Sequence, residues 1–365
     1  MSTLLICLLL AACSDDKTPL ADGSTDTDSD TDTDSDSDTD TDSDTDTDSD
    51  TDTGTDWLVY DGGPLTDCDA GAHPDMVCVP GGKYLMGCMP YDVNCSDNEK
   101  PMVEVTLSPF WIEKRENRWE DLIPFFNSLQ EGYIRDEAEI HIDTEPSPTP
   151  IWYGNYSSDP PVELNDAGLY EGNESGGDCL VMMDQVAGGL SWIGAKKYCE
   201  WKGMRLPTQA EWEAAARGQT KFIWPCSWHH LPCWYGPYDQ CYSGGECYDP
   251  DMADCCWPYE WVMADTCVGK LEIEGLYGNA AEWTLDRRNS EDDNSWCSEG
   301  CTDPPPRSGD HPVIKGGSII GSWNYTRISF VSSGSDPNGW SNSGVRCVSS
   351  SVEHVRPDGG VNWAE

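Results

Sequence analysis

The chain predicts an α+β domain, irregular and loop-rich, stapled by disulfides and preceded by a disordered tether. Three observations lead there. Eighteen cysteines, 35 glycines and 25 prolines stud its 365 residues. Two short helices with readable ends sit among short extended segments. Aspartate alternates with threonine or serine from Asp26 to Asp52.

Residues 1–12 are a short apolar run ending in Leu10-Ala11-Ala12-Cys13. It is too short to span a bilayer as a helix and reads as a secretory signal. The ending looks like a bacterial lipobox, which implies cleavage before Cys13 and a lipid there. No Lys or Arg precedes the run, which departs from that pattern; an ordinary signal peptide is the plainer alternative.

Residues 13–56 form the tether. With nothing to bury and like charges at every second position, it stays extended. About 30 residues reach roughly 100 Å at full extension. Calcium binding by this tract would be weak and spread over many sites, since no loop gathers the carboxylates. The whole chain carries a net charge of −46. From residue 57 onward, 49 acids face 20 bases. That excess repels nucleic acid phosphates and anionic membrane surfaces.

The folded domain is expected over residues 57–350, with a tail over 351–365. Met76 to Gly87 (MVCVPGGKYLMG) reads as strand, Pro-Gly-Gly turn and strand, a hairpin. Pro101 to Ile112 is extended. Asn117 with Glu120 marks a helix start, and Trp119, Leu122, Ile123, Phe126 and Leu129 follow helical spacing. Pro124 within that run predicts a kink or an early break. Ser191 caps the next helix, which stops at Gly203. Thr208 and Glu211 form an S/T-x-x-E capping box after Pro207, and Gly218 ends that helix. Residues 219–267, rich in Cys, Trp, Pro and Gly, read as a long irregular region. Its aromatic residues either pack a loop-rich core or stack on a sugar ring. Val313–Ile320 and Gly344–Val348 look like late strands.

Setting aside Cys7 in the signal and Cys13 as the lipid site, sixteen cysteines remain, an even number in an exported chain. An oxidised framework follows. Cys88–Cys95, Cys226–Cys233, Cys241–Cys247 and Cys297–Cys301 would each staple a short loop. Zinc is the alternative, disfavoured because neither CxxC spacing nor paired histidines occur. The adjacent Cys255 and Cys256 are expected to take different partners.

Five blocks then add up: Met76–Gly87, Ser191–Gly218 with its RLPTQAEWEAAARG core, Gly275–Trp283 (GLYGNAAEW), Lys315–Ser318 (KGGS) and Gly344–Cys347 (GVRC). In type and order they resemble the formylglycine-generating enzyme, or sulfatase-modifying factor, family, over roughly residues 73–350. The resemblance implies an irregular variant of the C-type-lectin fold. It implies oxidation of a sulfatase cysteine to formylglycine, with molecular oxygen and a copper-binding cysteine pair just after the GGS block. Two soft thiolates would hold Cu(I). The matching positions here are Gly321 and Thr326, and no cysteine lies between Cys301 and Cys347. Copper is therefore not expected.

Other family positions survive. Arg205, Ser318 and Asn342 match residues lining the enzymes' substrate groove, though an ion pair, a strand end and a turn would account for them equally. The resemblance pairs Cys199 with Cys347. A second family bridge falls on Ala216 and Val331, lost together. The family's structural calcium maps onto the carbonyls of Gly278 and Ala280 and the carboxylate of Glu282. Its upstream Asn ligand falls on Gly275.

Three functions compete. A lipid-anchored, extracytoplasmic binding or structural protein, with a peptide or glycan ligand, is favoured by the missing thiolates. A formylglycine-generating oxidase is favoured by the family match alone. A sulfoxide-forming iron oxidase of the same superfamily would need a helical domain with metal-binding histidines, which is absent here. No hydrolase motif such as a nucleophile elbow occurs.

Overall fold

The computed structural model describes residues 58–68, 74–129, 131–135, 139–143, 148–153, 162–172, 186–227, 271–318, 321–333 and 343–350. The signal, Cys13, the tether, Asn342, the tail over 351–365 and the expected bridges Cys226–Cys233 and Cys241–Cys247 fall partly or wholly outside these residues. So do Cys255 and Cys256.

Strand β1 (Met76–Val79) and β2 (Gly82–Met86) flank the Pro-Gly-Gly turn, but they do not form the expected hairpin. β2 pairs antiparallel with β3 (Val103–Leu107), and β1 with β4 (Phe110–Glu113). The turn is held open from outside. Gly81 exchanges both backbone hydrogen bonds with Thr66 at 2.7 Å, and its Cα abuts Pro109, where an added Cβ would sit 2.6 Å from the ring. The extended run after Pro101 likewise splits at Ser108–Pro109 into β3 and β4.

Helix α1 (Trp119–Ser128) starts one residue later than expected. Arg118 occupies the cap, and its N–H donates to Asp121 at 2.9 Å. Asn117 instead turns inward, accepting from the Tyr198 hydroxyl at 2.7 Å. Pro124 lies inside α1 without breaking it. It and Glu120, whose carbonyl loses its donor, are both solvent-exposed, so the freed group is not one that must be satisfied inside the protein. β5 (Tyr133–Arg135), β6 (Glu139–Ile142) and β7 (Thr149–Tyr153) form a small antiparallel sheet, and β8 (Val162–Leu164) pairs with β9 (Tyr170–Gly172).

The helix pair follows its sequence signals. α2 (Trp192–Trp201) has its first turn capped by Ser191, whose Oγ accepts from Gly194 N–H at 2.9 Å. The chain then turns at Gly203, φ +76°. α3 (Gln209–Arg217) carries the Thr208–Glu211 box and ends at Gly218, φ +57°. Phe125, Phe126, Trp152 and Tyr198 pack between α1, α2 and β7 in one buried cluster. Trp212 and the alanines of α3 pack on β2 and β3 in another.

β10 (Ala281–Arg288) is central in the sheet that positions the site. β11 (Cys301–Thr302) joins the β2–β3 sheet instead. β12 (His311–Lys315) pairs antiparallel with β10 and with β13 (Ser332–Ser333), and β14 (Ser343–Gly344) lies parallel to β10. β15 (Val348–Ser349) returns to β4. Val313–Ile320 is thus shorter than expected, since Gly316 and Gly317 adopt φ of +86° and +71° and end the strand at Lys315. Gly344–Val348 is two short strands in different sheets, divided by Val345, Arg346 and Cys347.

Four disulfides join described cysteines: Cys68–Cys78, Cys88–Cys95, Cys199–Cys347 and Cys297–Cys301. The first was not anticipated. Cys226 is also disulfide-bonded. Cys199–Cys347 closes a separation of 148 residues, so among these four it restricts the unfolded chain most. Replacing both cysteines with alanine is expected to lower unfolding free energy by about 4–5 kcal/mol. Urea denaturation of the double variant checks this; an unchanged midpoint would refute it.

Candidate functional site

The positions that matter for the copper pair lie just past β12. Gly321 N–H donates to the Ser318 carbonyl at 2.9 Å, closing a tight turn. A single turn of 3-10 helix follows at Trp323–Thr326, capped by Ser322. Thr326 is fully buried, and its hydroxyl donates to the Trp323 carbonyl at 2.7 Å. Gly317 packs against it so closely that an added Cβ would sit 2.9 Å from Thr326 Cγ2. One position therefore has no side chain, and the other has a buried hydroxyl satisfied by its own turn. Neither supplies a thiolate, so this donor set does not fit Cu(I).

Arg205 stands on the connector between α2 and α3. Its backbone exchanges hydrogen bonds with Val348 at 2.7 and 3.0 Å. Its guanidinium grips Glu211 in a two-pronged pair, at 2.7 and 2.6 Å. That fork is a strong geometry for carboxylate binding, and the partner is a capping residue of α3. Ser318 is buried at the end of the KGGS block. Among the matched groove residues, then, Arg205 is engaged structurally, Ser318 is internal, and Asn342 lies outside the described residues.

A denser arrangement lies at the GLYGNAAEW turn. Glu282, on β10, is fully buried. Arg346 binds one of its oxygens at 2.7 and 2.8 Å, and the Trp212 indole N–H donates to the other at 2.6 Å. Both oxygens are thus engaged within the protein rather than turned toward a cation. Gly278 N–H donates to the Gly316 carbonyl at 2.9 Å, tying this turn to the KGGS block.

Beside it stands Glu116, a residue that sequence reasoning missed. One of its carboxyl oxygens accepts from the Ala280 N–H at 3.0 Å and the other from the Asn279 amide at 2.7 Å. Its carboxyl fills the space beside Gly275, where an added Cβ would lie 2.5 Å from Glu116 Oε2. Gly275 has φ +73°. The position matching the family's Asn ligand is therefore a left-handed glycine with an acid packed against it. Burial pushes the Glu116 pKa up to about 8, reinforced by the negative charge of Glu282, with Arg346 opposing. Only an adjacent acid position in three dimensions reveals this; nothing in the spacing of residue 116 marks it.

Residues 64–351 match the model of the sulfatase-modifying factor enzyme 1-like domain. The chain belongs to this family. The formylglycine-generating enzyme of Mus musculus is 26% identical over 298 residues, covering 75% of this chain and 74% of that protein. The formylglycine-generating enzyme of Thermomonospora curvata is 27% identical over 292 residues, covering 75% and 92%. A Bos taurus relative described as an inactive C-alpha-formylglycine-generating enzyme 2 is 26% identical over 313 residues, covering 76% and 89%. The family thus contains members described as active and as inactive, so membership alone does not assign chemistry.

Glu116 gives a pH signature. Its folded pKa lies above its ordinary value of 4.5. The protonated form is favoured by folding, so its contribution is fully present below pH 4.5 and is lost as pH rises toward 8. In calcium-free buffer, unfolding free energy should fall across that window by up to about 1.4 kcal/mol per pH unit from this group. Glu116→Gln, a mimic of the protonated acid, should flatten the slope. Equal slopes for the two proteins in urea titrations at pH 5, 6, 7 and 8 would refute the assignment.

Proposed function

We propose that this chain is a non-catalytic binding or structural member of its family, exported and tethered outside the cytoplasm by a lipid on Cys13. The observation that carries the catalytic half of this reading is the pair Gly321 and Thr326. Where two thiolates would be needed, one residue has no side chain and the other is a buried, satisfied hydroxyl. The bovine relative described as inactive supports it in kind. Export is supported by the apolar start, the aspartate-rich tether and the disulfides, which persist in oxidising compartments. Among the described residues no helix is long and apolar enough to cross a membrane. The partner would be a peptide or a glycan; the acidic balance disfavours nucleic acid.

The competing reading is a formylglycine-generating oxidase. Incubating the full chain with copper, oxygen and a peptide carrying the sulfatase cysteine motif separates the two. Unchanged peptide mass is expected. An aldehyde product would overturn the non-catalytic reading.

Calcium is a second proposal, resting on different atoms. Asn279 Oδ1 is buried without a hydrogen-bond partner, and Glu116 lies beside it. With the carbonyls of Gly278 and Ala280, these are hard oxygen donors of the kind calcium takes. Glu282 would join them only by leaving Arg346 or Trp212. Binding to the folded state would raise Tm at millimolar calcium relative to chelator. Equal melting temperatures in the two buffers would dismiss calcium.

A further inference from the structure

Away from the inherited groove, a cavity of about 380 Å³ opens between the end of α1, β5 and the last turn of α2. Its size falls at the small end of ordinary ligand sites. Three aromatic side chains, Phe125, Tyr133 and Trp201, line it together with Ser128 and Leu129. Trp201 is half-buried and braced from behind. Its ring stacks on Tyr198 at 6.1 Å and 26°, and Phe125 leans against it at 5.8 Å. Tyr198 is in turn pinned through its hydroxyl to Asn117 at 2.7 Å. The platform is therefore fixed before any ligand arrives, which lowers the ordering cost of binding.

The mouth carries Glu131, Lys197 and Glu200. Glu200 pairs with Lys196 along the helix. The Glu131 and Lys197 side chains have no ion pair or hydrogen bond among the described residues. Aromatic lining under a rim with both donors and acceptors suits a ligand having one apolar face and many hydroxyls. A cationic ligand would meet Lys197. An anionic one would meet two carboxylates on a chain of net charge −46. A neutral sugar ring meets neither obstacle, uses ammonium donors and carboxylate acceptors together, and lays its C–H face on the indole.

We propose that the cavity between α1, β5 and α2 binds a neutral sugar ring stacked on Trp201, with its hydroxyls bonded to Glu131, Lys197 and Glu200. This rests on the reading of the chain as a binding module, but the two fail separately. An aldehyde product overturns the module reading, whereas loss of the sugar result overturns this pocket alone.

The test is saturation-transfer NMR on the full chain with maltotetraose, cellotetraose and the N-acetylglucosamine tetrasaccharide, beside a trimethyllysine peptide. Transfer to at least one oligosaccharide and none to the peptide is expected. Trp201→Ala should weaken that binding roughly tenfold or more. Lys197→Ala and Glu131→Ala, neither of which removes an ion pair or hydrogen bond among the described residues, should each weaken it too. Silence with all three sugars, transfer to the cationic peptide in their place, or sugar binding indifferent to the Lys197 and Glu131 variants would overturn the proposal.

Discussion

The ion pair between Arg346 and Glu282 is the constraint on which the rest of the site depends. Arg346 is wholly buried and reaches three separate segments. It donates to Glu282 on β10, to the Glu113 carbonyl at the end of β4 at 2.8 Å, and to the Glu274 carbonyl at 2.7 Å. A buried charge is tolerated only when it is paired and its remaining hydrogen-bonding capacity is met. Here each of the three guanidinium nitrogens finds an acceptor, and the second oxygen of Glu282 finds the Trp212 indole. The pair thereby joins the central strand of one sheet, the end of a strand in another and helix α3. Glu116 is then a third buried ionisable group beside a saturated pair. Retaining its proton is the cheapest way to keep two acids and one guanidinium close together.

A second buried group works in the same manner around Glu213. Lys315, fully buried, gives its three donors to Glu213 and to the carbonyls of Ile328 and Phe330. The other oxygen of Glu213 receives the Gly87 N–H at 2.8 Å. The loop bearing Gly321 and Thr326 is thus suspended between the KGGS block and residues 328–330, all held by one ammonium. That support is independent of any thiol at positions 321 and 326. The loop is therefore held in shape with no thiol at either position.

Helix signals were readable because their causes are local. Ser191, Thr208, Glu211, Gly203 and Gly218 act within three or four residues of themselves, and each sits where its chemistry places it. The Met76–Gly87 hairpin was misread because turn chemistry says that a chain bends, not which neighbours its strands will find. Thr66 and Pro109, distant in sequence, decide that. Pro124 does not end its helix for a related reason: its cost depends on whether Glu120 faces water. In the site, residues within the family blocks could be located by resemblance, and the bridge Cys199–Cys347 with them. The Glu211 partner of Arg205 is close enough in sequence to anticipate. Glu116 could not be anticipated, since its meaning comes from Gly275, Asn279 and Ala280, some 160 positions away.

The bridge between Cys199 and Cys347 also changes what the molecule is covalently. Together with the backbone between them, it makes a closed ring, with α2 and the β15 end of the domain at its clasp. A single peptide-bond cleavage anywhere on that ring separates no fragment: both new ends stay on one molecule until the sulfur–sulfur bond is reduced. The long cysteine-rich stretch lies on this ring, so a nick within it leaves the segment before Cys199 covalently joined to the segment that carries Arg346.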